Sequence, residues 1–167
     1  MRHALPERKE LTEGAADPGL TDEGHRQAEH LAEYLSTETI DALYVSPMAR
    51  ARQTAAPVER RLGLDAVVVD GVAEYDRESS EYVPIEQLKA EGDPRFHDFV
   101  NEQWVGQDER DTVTSAVRTA TDEIIAGNPG RRVVVVCHGG VINVVLSDVL
   151  GLTTDGPGFF YPNYTSI

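Results

Sequence analysis

The chain predicts an α/β fold, a three-layer α/β/α sandwich with a mostly parallel central sheet, and three observations carry that expectation. Val133–Val136 are consecutive valines, a poor helix segment and a good strand for burial on both faces of a helix-covered sheet. Strand-like runs alternate with helix-length amphipathic runs along most of the chain, as in βα units. The valine run stops at Cys137-His138-Gly139-Gly140, and apolar, helix-length sequence follows over Val141–Leu150. A histidine therefore stands where a buried strand ends and a helix begins. In open α/β sheets that carboxyl edge is where ligands bind, and glycines there let backbone approach a ligand closely. Taken alone, His138 reads equally well as a histidine bonded to its own loop. It is not alone, because Arg2-His3 opens the chain and can be brought to the same edge.

The elements follow in order. Met1–Gly19 is punctuated by Pro6, Gly14, Pro18 and Gly19 and shows no period, so it reads as a loop, with His3 on its edge and outside the core. Thr21 is a helix N-cap with Asp22 and Glu23 in the first turn. Ala28, Leu31, Ala32 and Leu35 then form an apolar stripe that leaves His25 and His30 on the surface. Ile40–Val45 reads as a strand ending at Ser46-Pro47, and a helix from Met48 to Leu62 buries Met48, Ala51, Ala55, Val58 and Leu62. Arg50 and Arg52 fall in its first turn, where cations oppose the helix dipole. A local rule broken at a strand–helix junction points to function; Arg50 fits that reading, whereas Arg52 reads as solvated.

Gly63–Val69 predicts a short strand, followed by the acidic, aperiodic stretch Glu74–Glu81. Pro84–Trp104 reads as one or two short helices broken at Gly92-Asp93-Pro94 and forming a lid. Asp111–Ala126 is an amphipathic helix with Val113, Val117, Ala120 and Ile124 on one side, ended by Asn128-Pro129-Gly130. No repeats or low-complexity tracts interrupt the chain, and its 167 residues are expected to form one domain spanning 1–167.

Composition narrows the function. No apolar run approaches the roughly 20 residues of a membrane span, and MRHALPERK offers no apolar signal region. Cys137 is the only cysteine, which excludes a disulfide framework and suits a cytoplasmic protein. Without clustered His/Cys spacing a structural zinc site is not expected. The formal charge of −14 argues against nucleic acid and against an anionic membrane surface. It does not argue against a phosphorylated substrate. Charges beyond a Debye length, about 8 Å at physiological salt, are largely screened. An arginine about 4 Å from a phosphate in a partly buried site gains on the order of 4 kcal/mol. Apart from Lys9 and Lys89 every basic residue is arginine, the better bidentate phosphate ligand.

The residues at predicted strand ends are Arg2, His3, Arg50, His138 and the acid Glu74. Two histidines, two arginines and a carboxylate suit phosphoryl transfer through histidine, because neutral imidazole is a competent nucleophile near pH 7. Arginines and the second histidine would hold the equatorial oxygens, and a protonated carboxylic acid would donate to the leaving alkoxide. Two histidines and a glutamate also suit a catalytic metal, but the Arg2 cation beside His3 opposes one. No cofactor is expected.

These residues sit in motifs that resemble the histidine phosphatase (phosphoglycerate mutase-like) superfamily. Arg2-His3-Ala4 is similar to its RHG or RHA motif, and Gly19–Ala28 resembles its L-T-x-x-G-x-x-Q-A segment. Ser46–Ala55, SPMARARQTA, matches the S-P-x-x-R-A-x-Q-T-A signature. Val72-Ala73-Glu74 falls where an L-x-E triplet supplies the acid, and Cys137–Gly140 resembles the second-histidine motif. The resemblance implies a phosphoglycerate mutase-like fold, His3 as the phosphorylated nucleophile, Arg2, Arg50 and His138 around the phosphate, and Glu74 as proton donor.

Several features depart from the family pattern. Only Met1 precedes the RH pair, so the first strand is very short or lies outside the chain. Asn163–Ile167 resembles the region that enters a last strand, so the end is expected to be clipped too. Lys9 stands where mutase-type members carry Asn, and YDRESSEY replaces the usual continuation after Glu74, leaving Asp76, Glu78 and Glu81 as fallback acids.

The implied function is a metal-independent phosphomonoester hydrolase acting on a phosphorylated metabolite or phosphoprotein. The alternatives are a phosphoglycerate-type phosphomutase, for whose loops 167 residues leave little room, a phosphohistidine phosphatase, and a non-catalytic phosphate-binding module. A homodimer is left open, and specificity is assigned to Tyr75–Gln107.

Overall fold

The computed structural model describes residues 1–100, 106–152 and 159–167. Its strands are β1 (Lys9–Glu10), β2 (Ala42–Val45), β3 (Val67–Val68), β4 (Glu81–Tyr82) and β5 (Val133–Val136). Its helices are α1 (Asp22–Leu35), α2 (Ala49–Leu62), α3 (Ile85–Glu91), α4 (Arg95–Val100), α5 (Gln107–Gly127) and α6 (Gly139–Leu150), with 3₁₀ turns at Asp70–Val72 and Tyr75–Glu78.

The main sheet runs β3-β2-β5, all parallel. A bridge from Arg2 to Cys137, also parallel, extends it beyond β5, so the valine strand is central. Val134 and Val136 point to one face, where they pack with Leu31 and Leu35 of α1 and Ala55 and Val58 of α2. Val135 and Cys137 belong to the other face, with Val117 and Ala120 of α5 and Val141 and Val144 of α6. Two helical layers thus bury both faces of β5, the arrangement its uninterrupted apolar run requires. The three-layer α/β fold follows.

Local signals hold where packing supports them. The Thr21 hydroxyl accepts from Gly24 N at 2.9 Å and starts α1. Met48 is the N-cap of α2, and Gly92 turns the chain between α3 and α4 at φ 65°. The predicted end of the lid region at Trp104 lies outside the described residues.

Other boundaries move. The Gly63–Val69 strand shrinks to β3, whose valines stay about half exposed because β3 is the sheet edge. Helix α5 begins at Gln107, four residues before the expected start at Asp111. The opening loop is not wholly irregular: β1 pairs antiparallel with β4, Lys9 opposite Tyr82. Among the described residues no helix is long and apolar enough to cross a membrane.

Candidate active site

The site forms where the sheet's carboxyl edge meets the chain's opening residues. His3 N donates to Cys137 O at 2.9 Å, and Cys137 N donates to Met1 O at 2.9 Å. This pairing sets Arg2-His3 beside Cys137-His138, with the two imidazole centroids 5.1 Å apart. Thr54 of α2 fastens the loop that follows: its hydroxyl accepts from Ala4 N at 2.9 Å and donates to Arg50 O at 2.7 Å. Gln27 accepts from Leu5 N and Gln53 from Leu20 N, so polar residues of the two motif segments hold the loop.

Each side chain has a defined environment. His3 is buried, and its Nδ1 lies 2.8 Å from Ala4 O. A carbonyl only accepts, so Nδ1 carries the hydrogen and Nε2 keeps its lone pair. Burial, then the Arg50 and Arg2 charges, hold His3 well below the ordinary histidine range against the Ala4 bond. His138 is fully buried, with Nε2 2.7 Å from the Ser46 hydroxyl. Burial and the charges of Arg50, His3 and Arg2 push it down as well.

Arg50 is also fully buried. Its Nη2 donates to both Asp76 carboxylate oxygens, at 2.7 and 3.0 Å, and its guanidinium lies 4.4 Å from the Tyr82 ring centroid. Arg50 Nε and Nη1 and His138 Nδ1 are buried and have no partner among the described residues. Leaving a buried donor unpaired costs about 1–3 kcal/mol, more for a charged group. An oxyanion removes that penalty.

Arg2 Nη1 donates to Glu86 Oε1 at 2.8 Å and to Pro162 O at 2.9 Å. Glu74 Oε2 accepts from Gly140 N at 2.9 Å and Oε1 from Tyr75 N at 3.2 Å. Burial, and next the Asp76 charge, raise the Glu74 carboxyl to about 7 against the opposing effect of those bonds and Arg50. Desolvation rather than repulsion within the acidic loop is the leading cause.

The structure thus brings together Arg2, His3, Arg50, Glu74 and His138. Arg52 is exposed, as expected. The dipole conflict at the start of α2 is relieved by Asp17, whose carboxylate accepts from Ala49 N at 2.9 and 3.0 Å. Of the fallback acids, Asp76 is bonded to Arg50. Glu78 is exposed beside Arg77, and Glu81 pairs with Arg95. Two expectations need correction. His3 is 2% exposed and covered, not on an open loop edge. The second glycine of the histidine motif makes room for the acid: a Cβ on Gly140 would meet Glu74 Oε1 at 2.3 Å and Tyr75 Cε2 at 2.4 Å. Gly140→Ala is therefore expected to displace the Glu74 carboxyl and lower turnover at least about tenfold. Turnover equal to the parent's would show that the carboxyl's placement is unimportant.

Sequence reasoning misses Ser46, Tyr82, Glu86 and Tyr164. Ser46 has a signal, its place at a strand's carboxyl end beside Pro47; the others act through distant contacts and have none. Among the described residues no three His, Cys, Asp or Glu side chains are placed to hold a metal ion.

Comparison with known proteins finds relatives of the chain and of its fold. A bifunctional protein of Mycobacterium tuberculosis is 34% identical over 157 residues, covering 87% of this chain and 42% of the relative. The chain thus spans less than half of that protein's length. Phosphoserine phosphatase 1 of Hydrogenobacter thermophilus is 27% identical over 158 residues, 91% of this chain and 75% of its own. A mycobacterial glucosyl-3-phosphoglycerate phosphatase in complex with VO3 shares the fold, with TM-score 0.73 at 23% identity over 99% of this chain and 86% of that one. The model of the histidine phosphatase superfamily, branch 1, matches residues 1–167, and the chain belongs to that family.

Proposed function

We propose that the chain is a phosphomonoester hydrolase that passes the phosphoryl group of a phosphorylated small molecule through His3 to water, within one domain and in the cytoplasm. His3 Nε2 attacks phosphorus as the ester P–O bond breaks, and the Glu74 carboxyl gives its proton to the departing alkoxide. In the second half-reaction the Glu74 carboxylate takes a proton from water, whose oxygen attacks phosphorus as the His3–phosphorus bond breaks. Arg2, Arg50 and His138 stabilise the oxygens of the loose transition state. With Nε2 accepting from Ser46, His138 presents Nδ1–H to the phosphate. The observation that carries this reading is the juxtaposition of two buried imidazoles 5.1 Å apart with the buried Arg50 Nε and Nη1, which have no partner among the described residues. A wholly catalytic metal would want His3 and His138 as ligands, beside two guanidinium groups that repel it.

The test is turnover over a panel of phosphorylated metabolites in excess chelator, with and without a bisphosphoglycerate primer. Phosphate release without primer is expected, and the rate is expected to persist in EDTA. Activity lost in EDTA and restored by zinc or manganese would make this a metallohydrolase. Primer-dependent isomerisation would make it a mutase.

Anion binding gives a second test. A ligand held only by the native state raises the melting temperature. For a domain of this size each kcal/mol is about 2–4 °C, so vanadate at a hundred times its Kd gives roughly 5–10 °C. Arg50→Ala is expected to remove most of this shift and Arg52→Ala to keep it. The difference with and without vanadate cancels the basal cost of exposing Asp76. Equal effects would reduce both arginines to general positive charge.

A further inference from the structure

The two arginines of the site are built into the same arrangement by residues to which the sequence assigns no role in holding them. Each has one guanidinium edge on a carboxylate and one face against a tyrosine. For Arg50 these are Asp76 and, at 4.4 Å, Tyr82. For Arg2 they are Glu86 at 2.8 Å and Tyr164, whose ring centroid is 3.9 Å from the guanidinium carbon. In the second set Tyr164 Oη donates to Glu86 Oε2 at 2.6 Å while Oε1 receives Arg2, which also donates to Pro162 O and lies 5.4 Å from the Tyr161 ring centroid. The Tyr164 ring also lies 5.7 Å from the His3 ring, so it touches both members of the Arg2-His3 pair.

Glu86 is held at this point by its surroundings. It stands in the first turn of α3, which is anchored by the buried Ile85 and Leu88. The preceding β4 pairs with β1, a few residues after His3. Its carboxyl is pushed up by burial, but the Arg2 charge and the bonds from Tyr164 and Arg2 outweigh that and leave it below the ordinary range. It is therefore ionised at neutral pH and is a permanent partner for Arg2. A guanidinium whose outer edge is tied down has fewer orientations to lose when it meets a transition state, and misplacing a catalytic contact by about 1 Å costs about 10²-fold.

Resting on the phosphohistidine reading above, we infer that Glu86 and Tyr164 are positioning residues, which hold the Arg2 guanidinium in the orientation that serves the trigonal-bipyramidal phosphoryl group at His3. Glu86 acts through Arg2, and Tyr164 acts through Glu86 and through its ring against Arg2 and His3. This gives the start of α3, in a segment with no legible motif, a part in the chemistry rather than in binding alone.

The distinguishing property is a split between ground-state and transition-state ligands. Free Arg2 still attracts a phosphate dianion once Glu86 is neutralised, but no longer meets the equatorial oxygens in the right place. In Glu86→Gln we expect kcat to fall about tenfold or more with KM changed less than threefold. Vanadate, which adopts the five-coordinate geometry on a histidine, is expected to bind at least tenfold more weakly while inorganic phosphate binds within threefold of the parent. Tyr164→Phe keeps the ring and loses the hydroxyl, so a smaller loss in the same direction is expected. The double variant is expected to lose less than the sum of the two single losses, because the Tyr164 hydroxyl reaches Arg2 only through the residue 86 side chain.

Glu86 is part-exposed, and melting temperatures of the variants are expected to stay within a few degrees of the parent's. Parent-like kcat and vanadate affinity in Glu86→Gln would overturn the inference while leaving the hydrolase reading standing. So would equal losses of phosphate and vanadate, or losses that add in the double variant. A parent that binds neither anion and turns over no ester would overturn the underlying reading, and the inference with it.

Discussion

His3→Ala is expected to reduce turnover to the uncatalysed background and to abolish phosphoenzyme formation. The parent, mixed with a ³²P-labelled ester and quenched, should retain label that is lost in acid and kept in base, the behaviour of a phosphoramidate. The variant should retain none. The fold should survive. His3 lies in none of the apolar clusters on either face of the sheet, and its ring makes one hydrogen bond, to Ala4 O. Losing that bond costs about 1 kcal/mol, roughly 2–4 °C in melting temperature for a chain of this length. The backbone pairing of His3 N with Cys137 O is untouched by the substitution. A folded variant without label makes His3 the nucleophile. Undiminished labelling would move the phosphorylated group elsewhere, and His138, 5.1 Å away, would be the next histidine to replace.

On the proposed reading, the readiness of His3 as nucleophile comes from its burial. Two guanidinium groups and a dry environment both oppose protonation of His3. The charges proposed to hold phosphate would therefore also keep the proposed attacking nitrogen free of a proton. The surrounding surface, at −14 overall, does not undo this, because the relevant contacts are a few ångströms long and the diffuse charge is screened.

How much of this is legible in the sequence depends on how local each cause is. The central strand is legible because its burial on both faces demands an uninterrupted apolar run, Val133–Val136. Helix α2 is legible from one apolar stripe, and Arg50 from the dipole rule it breaks. The β1–β4 pair is not, because Lys9-Glu10 and Glu81-Tyr82 are too short to show alternation. Glu86 and Tyr164 are not legible either. Their meaning lies in contacts with a residue 84 positions away or more, and nothing around them in sequence encodes it. Gly140 shows an intermediate case. Its smallness marks a close approach, but only the structure reveals that the neighbour is Glu74 and not a ligand.

Glu74→Gln is expected to slow phosphoenzyme formation, the first half-reaction read as kcat/KM, strongly for alkyl phosphates and much less for p-nitrophenyl phosphate. An alkoxide needs a proton as it departs, whereas p-nitrophenolate is stable as an anion. General acid catalysis contributes about 10²–10⁴-fold, which sets the gap between the two substrate types. The environment supports the assignment. Burial and the Asp76 charge raise the carboxyl from 4.5 to about 7, despite Arg50 and the peptide N–H groups of Gly140 and Tyr75. A group with that value still holds a proton in mildly acidic solution and gives it up as pH rises. The parent's kcat/KM on alkyl esters, which reports the first half-reaction, should therefore be high below neutrality and fall as pH rises through about 7. His3, held well below 6.5, places no acid limb near that window. In Glu74→Gln the fall near 7 should disappear together with the leaving-group gap. Asp76, Glu78 and Glu81 share the acidic stretch, so each needs its amide variant. A gap confined to Asp76→Asn would move the acid to Asp76, although both of its carboxylate oxygens already accept from Arg50 Nη2, at 2.7 and 3.0 Å. If none of the variants shows leaving-group sensitivity, the proton comes from water and the Glu74 assignment falls.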